Sequence, residues 1–557
     1  MGAEVATRRA AHLLVECLEA EGVRWVFGIP GEETLDLNEA LDESSIQFVP
    51  VRHEQAGAFI ADTVGRLTGR AGVCLGTLGP GATNLVTGVA DAYLDRAPLV
   101  ALTGQGDLNR MHKESHQYID VVSLMRPITK WNARVSDSAI VPEAVRKAFA
   151  VAQAEKPGST HLELPEDVMG TDLATVGGGS WAPLPVHPPV RPEPAAREML
   201  RAAEIIRSGN KVVALAGNGA VRGGAAGALR EFCRATGIPV AETFMGKGLV
   251  AADATEALGA TGLQAGDYEM AGFADADVVV TIGYDLVEQS PQQWNPGGDK
   301  TIVCIDTLPA EIDAYYTPAV ELVGDIYHVL LGLAEECRGA VRSGGSSRLR
   351  DATAGLLRRS MTDDSFPMLP PRVLADIRAR LGRTDILVSD VGLHKLWIGR
   401  MYPAYEPNTT LIANGLAGMG FAVPAAIAAK LVHPSASVVA VSGDGGFMMN
   451  AQELETAKRL KTAFVNVIWE NSQFGSIEWK QRRRFGRSFG VDFTNPDFVA
   501  LAGAHGLPGW RIGRADEFSE RLAHALTLDV PSVIVVPIDY SLDVAIAAGL
   551  GDETVAT

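Results

Sequence analysis

A chain of 557 residues, 47% apolar and 21% charged, is too long for one hydrophobic core and implies three or four domains. Its formal net charge of −18 argues against nucleic acid and anionic membrane as partners. Five scattered cysteines without a CxxC pair fit a reducing, cytoplasmic setting and exclude a disulfide framework or a cysteine zinc site.

The N-terminal stretch MGAEVATRRAAHLLVECLEAEG reads as an amphipathic helix. It lacks the uninterrupted apolar core of a signal peptide, and Ala6 stands where a myristoylation signal needs Ser or Thr. Short apolar runs then alternate with helical patterns. Val23–Gly28 leads into Ile29, Pro30 and Gly31; Phe48–Val51 precedes Arg52, His53 and Glu54; Gly72–Gly76 precedes Thr77; Pro98–Thr103 is a further buried strand. This alternation predicts a parallel α/β sheet over residues 1–175. Val176–Pro194, rich in Gly and Pro, reads as a linker. A second unit, residues 195–340, has strands at Lys211–Ala216, Pro239–Glu242, Asp277–Ile282 and Thr301–Ile305. Its Gly217 and Gly219 begin a dinucleotide-type pattern that fails at Arg222, so a structural turn is the better reading. Arg338–Pro371 connects, with some helix, to a third unit at 365–557 that ends in a loose tail, Gly551–Thr557. Gly415–Ala429 is too short to span a membrane, contains Pro424, and reads as a buried helix start. The fold class is α/β, with three doubly wound parallel-sheet domains.

The third unit carries most of the chemistry. Ser435–Val441 reads as a buried strand, followed by Gly443, Asp444, Gly445 and Gly446, a helical pattern at Leu454, Ala457 and Leu460, and a second strand, Ala463–Trp469, running into Asn471. In a βαβ unit both strand ends reach the same sheet edge, which brings Asp444 and Asn471 together. Glycine N–H groups can face an anion, and a carboxylate, an amide oxygen and backbone carbonyls suit Mg²⁺ with phosphates completing its shell. An ordinary βαβ unit with a glycine turn is the alternative. In the first unit, Glu54 follows an apolar lead-in and precedes Ala56, Gly57 and Ala58. It reads either as a solvated surface acid or as a packed helix N-terminus fit for proton transfer.

The Gly-Asp-Gly turn with an Asn 27 residues after its Asp, past a helix and a strand, resembles the thiamine diphosphate (ThDP) motif of the pyruvate decarboxylase and acetolactate synthase superfamily. The segments RHEQAGAFIADTVGRLTG and GVCLGTLGPGATNLVTGVADAYLDRAPLVALTGQ extend the likeness, and TIGYDLVEQSPQQWN and IDTLPAEIDAYYTPAVELVGDI resemble the catabolic, flavin-independent acetolactate synthases. The resemblance covers essentially the whole chain. It implies pyrimidine-binding, central and diphosphate-binding domains, with ThDP and Mg²⁺ as cofactors and FAD not expected. By the same resemblance Asp444, Asn471 and the Gln473 carbonyl hold Mg²⁺, while Gly443, Gly445, Gly446, Phe474, Gly475 and Ser476 surround the cofactor. Val391, Gly392, Leu393 and His394 line the thiazolium and diphosphate, and Ala417 and Met419 support the bent cofactor. Glu54 falls on the catalytic acid that engages the pyrimidine, with Pro30, Gly31, Thr77 and Asn84 around it. Gln105 and Gln117 face the substrate.

The activity so implied is decarboxylation of pyruvate and ligation of the hydroxyethyl carbanion to a second pyruvate, giving 2-acetolactate and CO₂. The resemblance also implies a homodimer or homotetramer with active sites at the subunit interface. A related carboligase or decarboxylase using another 2-oxo acid or an aldehyde acceptor is the alternative; a non-catalytic ThDP-fold binding protein is a third reading, opposed by intact Glu54, Asp444 and Asn471. The sequence departs from the catabolic pattern in the acceptor pocket. Glu33 replaces a Lys, Ala417 lies near a Gln of that group, and Ser476 and Lys480 replace a Met and a Gln. Its metal amide Asn471 follows the wider superfamily, where the catabolic group often has Asp. Lys480 reads either as the start of the basic surface run ending at Arg484 or as a cation facing the acceptor's carboxylate.

Overall fold

The computed structural model describes residues 8–176, 181–263, 265–339 and 341–542. Met1 and Gly2, part of the linker, and the tail at Gly551–Thr557 lie outside them. Among the described residues eighteen strands form three six-stranded sheets, all paired in parallel. The first contains β1 (Trp25–Gly28), β2 (Gln47–Pro50), β3 (Gly72–Gly76), β4 (Leu99–Gln105), β5 (Trp131–Arg134) and β6 (Ser159–Pro165), in the order β2-β1-β3-β4-β6-β5. The second contains β7 (Val212–Ala216), β8 (Val240–Glu242), β9 (Ala257–Ala260), β10 (Val278–Ile282), β11 (Thr301–Asp306) and β12 (Val320–Val323), in the order β12-β11-β10-β7-β8-β9. The third contains β13 (Ile386–Ser389), β14 (Thr410–Ile412), β15 (Val438–Gly443), β16 (Val465–Glu470), β17 (Gly509–Arg511) and β18 (Ser532–Pro537), in the order β14-β13-β15-β16-β18-β17.

Helices cover the sheet faces, and the inner strands are accordingly apolar on both sides: β3, β7 and β10 are buried at every residue. Each sheet reverses its strand order in its interior, at β1/β3, β7/β10 and β13/β15, and the first and third reverse again at the β5 and β17 edges. The crevice outside the strand ends at such a reversal is where open α/β sheets bind ligands. Ile29–Gly31 and Thr77 stand there in the first sheet, and Val391–His394 and Gly443–Gly446 in the third.

Residues up to Val190, with Ile427–Val432, form one compact unit; Arg191–Ala426 and the chain from His433 form a second. The central and C-terminal sheets thus belong to a single unit. Arg230 donates to the Tyr405 carbonyl at 3.1 Å and to Glu406 at 2.9 Å, Lys247 donates to the Gly399 carbonyl at 3.0 Å, and buried Arg400 meets Asp267 at 3.1 Å. All five cysteines are buried and free. Burial raises the Cys337 thiol to about 11 and those of Cys17 and Cys304 to about 12. No helix among the described residues is long and apolar enough to cross a membrane.

Candidate active site

The second unit encloses a cavity of about 620 Å³ at the β13/β15 reversal of the third sheet. One wall comes from the turn after β13: Val391, Gly392, Leu393 and His394 line it, with the helix Leu393–Met401 starting at the cavity. Gly392 holds φ 157° and ψ −165°, a glycine-only region, and a Cβ there would lie 2.7 Å from the His394 ring. His394 is buried, and burial lowers its pKa to about 3, so the ring is neutral. Its Nε2 has no partner among the described residues. Beneath it Asp390 accepts from the N–H groups of Val391 (2.7 Å) and Gly420 (2.9 Å), and burial raises it to about 6. Ala417 and Met419 line the same cavity; Ala417 is held at φ 58°, a left-handed conformation costing a non-glycine residue about 1–3 kcal/mol.

A second part of the lining begins where β15 ends. Gly443, Asp444, Gly445 and Gly446 line it, and the chain enters a helix at Asp444 itself, Asp444–Asn450, before a second helix, Glu453–Leu460. Pairing of β15 with β16 sets Gly443 opposite Trp469, which delivers Asp444 and Asn471 to the same edge. Asp444 Oδ2 accepts from the N–H groups of Asn471 (3.0 Å) and Ser472 (2.6 Å) and from Asn495 Nδ2 (2.9 Å); Oδ1 accepts from the Gly445 N–H (2.9 Å). The Asn471 side-chain amide and the Gln473 carbonyl have no hydrogen-bond partner among the described residues. Phe474, Gly475 and Ser476 continue the lining into the helix Gly475–Phe485, whose Lys480 also faces the cavity. The rest of the basic run points elsewhere: Arg482 pairs with Glu478, Arg483 lies over Trp479 at 5.7 Å, and Arg484 over Phe485 at 5.2 Å, all three exposed. Lys480 is half-buried and makes no ion pair among the described residues.

In the first unit Glu54 opens the helix Glu54–Thr68 and is only 6% exposed. Its Oε2 accepts from Asn84 Nδ2 at 2.9 Å. Asn84 sits on the helix Pro80–Leu94, and buried Arg66 ties the two helices by bridging Asp62 at 2.6 Å to Asp95 at 2.5 Å. Gly31 packs so close to Thr77 that a Cβ would stand 2.2 Å from its hydroxyl. Thr77 Oγ1 donates to Glu33 Oε2 at 3.0 Å, and Pro30 is exposed beside them. Gln117 is exposed, at φ 55°. Gln105, at the end of β4, is fully enclosed, its amide donating to the Ile119 carbonyl (3.2 Å) and Glu163 (3.0 Å) and its Oε1 accepting from the Gly106 N–H (3.0 Å). Its hydrogen-bonding groups are used within the unit.

Comparison with known proteins decides the family. Models described as the N-terminal TPP binding, central and C-terminal TPP binding domains of thiamine pyrophosphate enzymes match residues 8–124, 199–333 and 390–536. "Acetolactate synthase" of Bacillus subtilis (strain 168) is 35% identical over 97% of this chain and 95% of its own length. "Acetolactate synthase, catabolic" of Raoultella terrigena is 35% identical over 95% of each chain. "Probable acetolactate synthase large subunit" of Methanocaldococcus jannaschii is 34% identical over 95% and 92%. The chain belongs to the thiamine pyrophosphate-dependent acetolactate synthase family.

The cavity fits the cofactor of that family. Two helix N-termini open on it, at Leu393 and Gly475, and unsatisfied N–H groups there favour a diphosphate. The unpartnered Nε2 of His394 and amide of Asn471 are polar groups left over for a ligand. Among the described residues no three His, Cys, Asp or Glu gather as a metal cluster, so a cation would depend on Asp444 with amide and carbonyl oxygens, a donor set suited to Mg²⁺.

Several cavity residues escaped sequence reasoning. Leu286, Glu288 and Ser290, in the loop after β10, line it, and so does Tyr540. Glu288 is raised to about 7 by burial while accepting from Thr243 Oγ1 (2.5 Å) and the Asn218 N–H (2.9 Å). The only signal for Leu286, Glu288 and Ser290 was the family-like segment TIGYDLVEQS; Tyr540 and Asn495 had none.

Proposed function

We propose that this protein is a ThDP- and Mg²⁺-dependent acetolactate synthase, joining two pyruvates to give 2-acetolactate and CO₂. The observation that carries the proposal is the convergence of Asp444, Asn471 and the Gln473 carbonyl on a cavity rimmed by two helix N-termini. Family membership supports the same reading. Bound ThDP supplies the nucleophile and the electron sink for decarboxylation. Asp444, Asn471 and Gln473 hold the cation on its diphosphate, and Glu54, oriented by Asn84, holds the proton that the pyrimidine must exchange. Gln105 keeps the end of β4 in place. The proposed assembly is at least a homodimer in which the Glu54 unit of one copy serves the cavity of another, in the cytoplasm, without FAD. Incubation with pyruvate, ThDP and Mg²⁺ is expected to release CO₂ and acetolactate in a one-to-one ratio. Acetaldehyde as the sole organic product would make the protein a decarboxylase, and no turnover would leave it a binding protein.

Lys480 bears on the acceptor. An ammonium in a half-buried wall favours a substrate carboxylate by charge-assisted hydrogen bonding. Lys480→Gln is expected to raise KM about tenfold for a 2-oxo acid acceptor, the low end for a hydrogen bond to a charged group, and to change KM little for an uncharged aldehyde. Equal effects on both acceptors would remove Lys480 from substrate recognition.

A further inference from the structure

We infer that Asn495 fixes which oxygen of Asp444 is left for a cation and thereby sets the metal preference of the site. The inference rests on the reading of Asp444 as the metal carboxylate. Oδ2 receives three N–H donors, from Asn471, Ser472 and Asn495, at 3.0, 2.6 and 2.9 Å. Oδ1 receives one, from Gly445 at 2.9 Å. Three donors leave Oδ2 no open side, while Oδ1, with one donor, keeps a free acceptor site. Two of the Oδ2 donors belong to the backbone bend after β16, where Ser472 takes φ 57°. The third is a side chain from elsewhere in the chain.

Asn495 is delivered by a segment laid antiparallel against that bend. The Phe474 N–H donates to the Val491 carbonyl at 2.9 Å, the Phe493 N–H to the Ser472 carbonyl at 3.1 Å, and Gln473 Nε2 to Asp492 Oδ1 at 2.7 Å. Asn495 Nδ2 also lies 3.2 Å from Ser472 Oγ, which fixes its rotamer. Mg²⁺ takes near-octahedral oxygen ligands and suits a carboxylate that offers one oxygen; Ca²⁺ takes more ligands and accepts both oxygens of one carboxylate. With Asn495 in place Asp444 can offer only Oδ1. Without it Oδ2 keeps only the two backbone donors of the bend and gains an open side, so the carboxylate can present both oxygens. Asn495 is therefore a positioning residue acting through Asp444.

The test is calorimetric titration of the full chain with ThDP in the presence of Mg²⁺ or of Ca²⁺. Wild type, Asn495→Ala and Asp492→Ala are compared, with Asn495→Leu, branched at Cγ like Asn but unable to donate, replacing the alanine variant if that does not fold. Asp492→Ala cuts the Gln473 link of the same segment without touching Asp444. Loss of one hydrogen bond to a charged group is expected to shift the Mg²⁺:Ca²⁺ affinity ratio about fivefold toward Ca²⁺ in the Asn495 variant, and not in Asp492→Ala. An unchanged ratio in a folded Asn495 variant overturns the inference, and so does an equal shift in Asp492→Ala. Wild-type ThDP binding indifferent to both cations would instead bring down the metal reading of Asp444, and the inference with it.

Discussion

Asp444→Ala is expected to abolish Mg²⁺-dependent binding of ThDP, a loss of at least about 100-fold, or ~2.7 kcal/mol. Two losses combine. The proposed cation gives up its one carboxylate ligand, so the diphosphate charge has no bridged anchor. The N–H groups of Asn471 and Ser472 and the Asn495 amide lose their common acceptor, at about 1 kcal/mol each for half-buried donors. The bend that carries Asn471 and Gln473 therefore loosens together with the carboxylate. Asp444→Asn keeps the volume while removing the charge, and serves if the alanine variant does not fold. Titration with and without Mg²⁺ reads the effect directly; wild-type affinity in either variant would end the assignment.

Glu54→Gln is expected to behave in the opposite way, binding ThDP nearly normally but exchanging its C2 proton about 10²–10⁴-fold more slowly, the range for loss of a positioned acid–base group. Glu54 is nearly enclosed, and Asn84 donates to one of its oxygens. Glutamine preserves that contact by turning its carbonyl toward Asn84, so the helix start keeps its geometry. What disappears is the ability to share a proton. Binding is retained because the residues proposed to anchor the diphosphate lie elsewhere in the chain. C2 exchange followed by NMR is the check, and an unchanged rate would remove Glu54 from the chemistry.

Parts of this arrangement were legible in the sequence because they rest on local rules. Apolar runs of four to six residues with glycine turns between them identify inner parallel strands, and parallel crossover connections force their ends to one edge, so the 27-residue separation of Asp444 and Asn471 specified proximity. Other strands left no such trace. In β6 the run is broken by His161 and Glu163, which are buried because each has a partner, Thr103 for one and Gln105 and Arg134 for the other. β9 is an edge strand of Ala, Leu, Gly and Ala without a β-branched residue. The single helix expected after the Gly-Asp-Gly turn is two helices, interrupted at Ala451 and Gln452. The full burial of Gln105 was not legible, because a polar side chain at a strand end looks the same in sequence whether it is exposed or enclosed. Asn495 reaches Asp444 from 51 residues away through an antiparallel bridge in a loop, a contact without a periodic signature.

The helix Gly475–Phe485 supplies one side of the cavity, yet none of its side chains is buried. It is held by its first turn and the bend before it, not by a core-facing stripe. Substitutions at Ser476, Ile477 or Lys480 therefore fall in the class that changes stability by only about 0.5 kcal/mol. The cofactor end of the cavity, with Gly392, Asp390 and Asp444 locked into backbone hydrogen bonds or forced dihedrals, has no such latitude. Mutational drift can thus explore new acceptors along this one helix while the reaction's first half stays fixed, which makes the chain readily evolvable in what it ligates and conservative in what it decarboxylates.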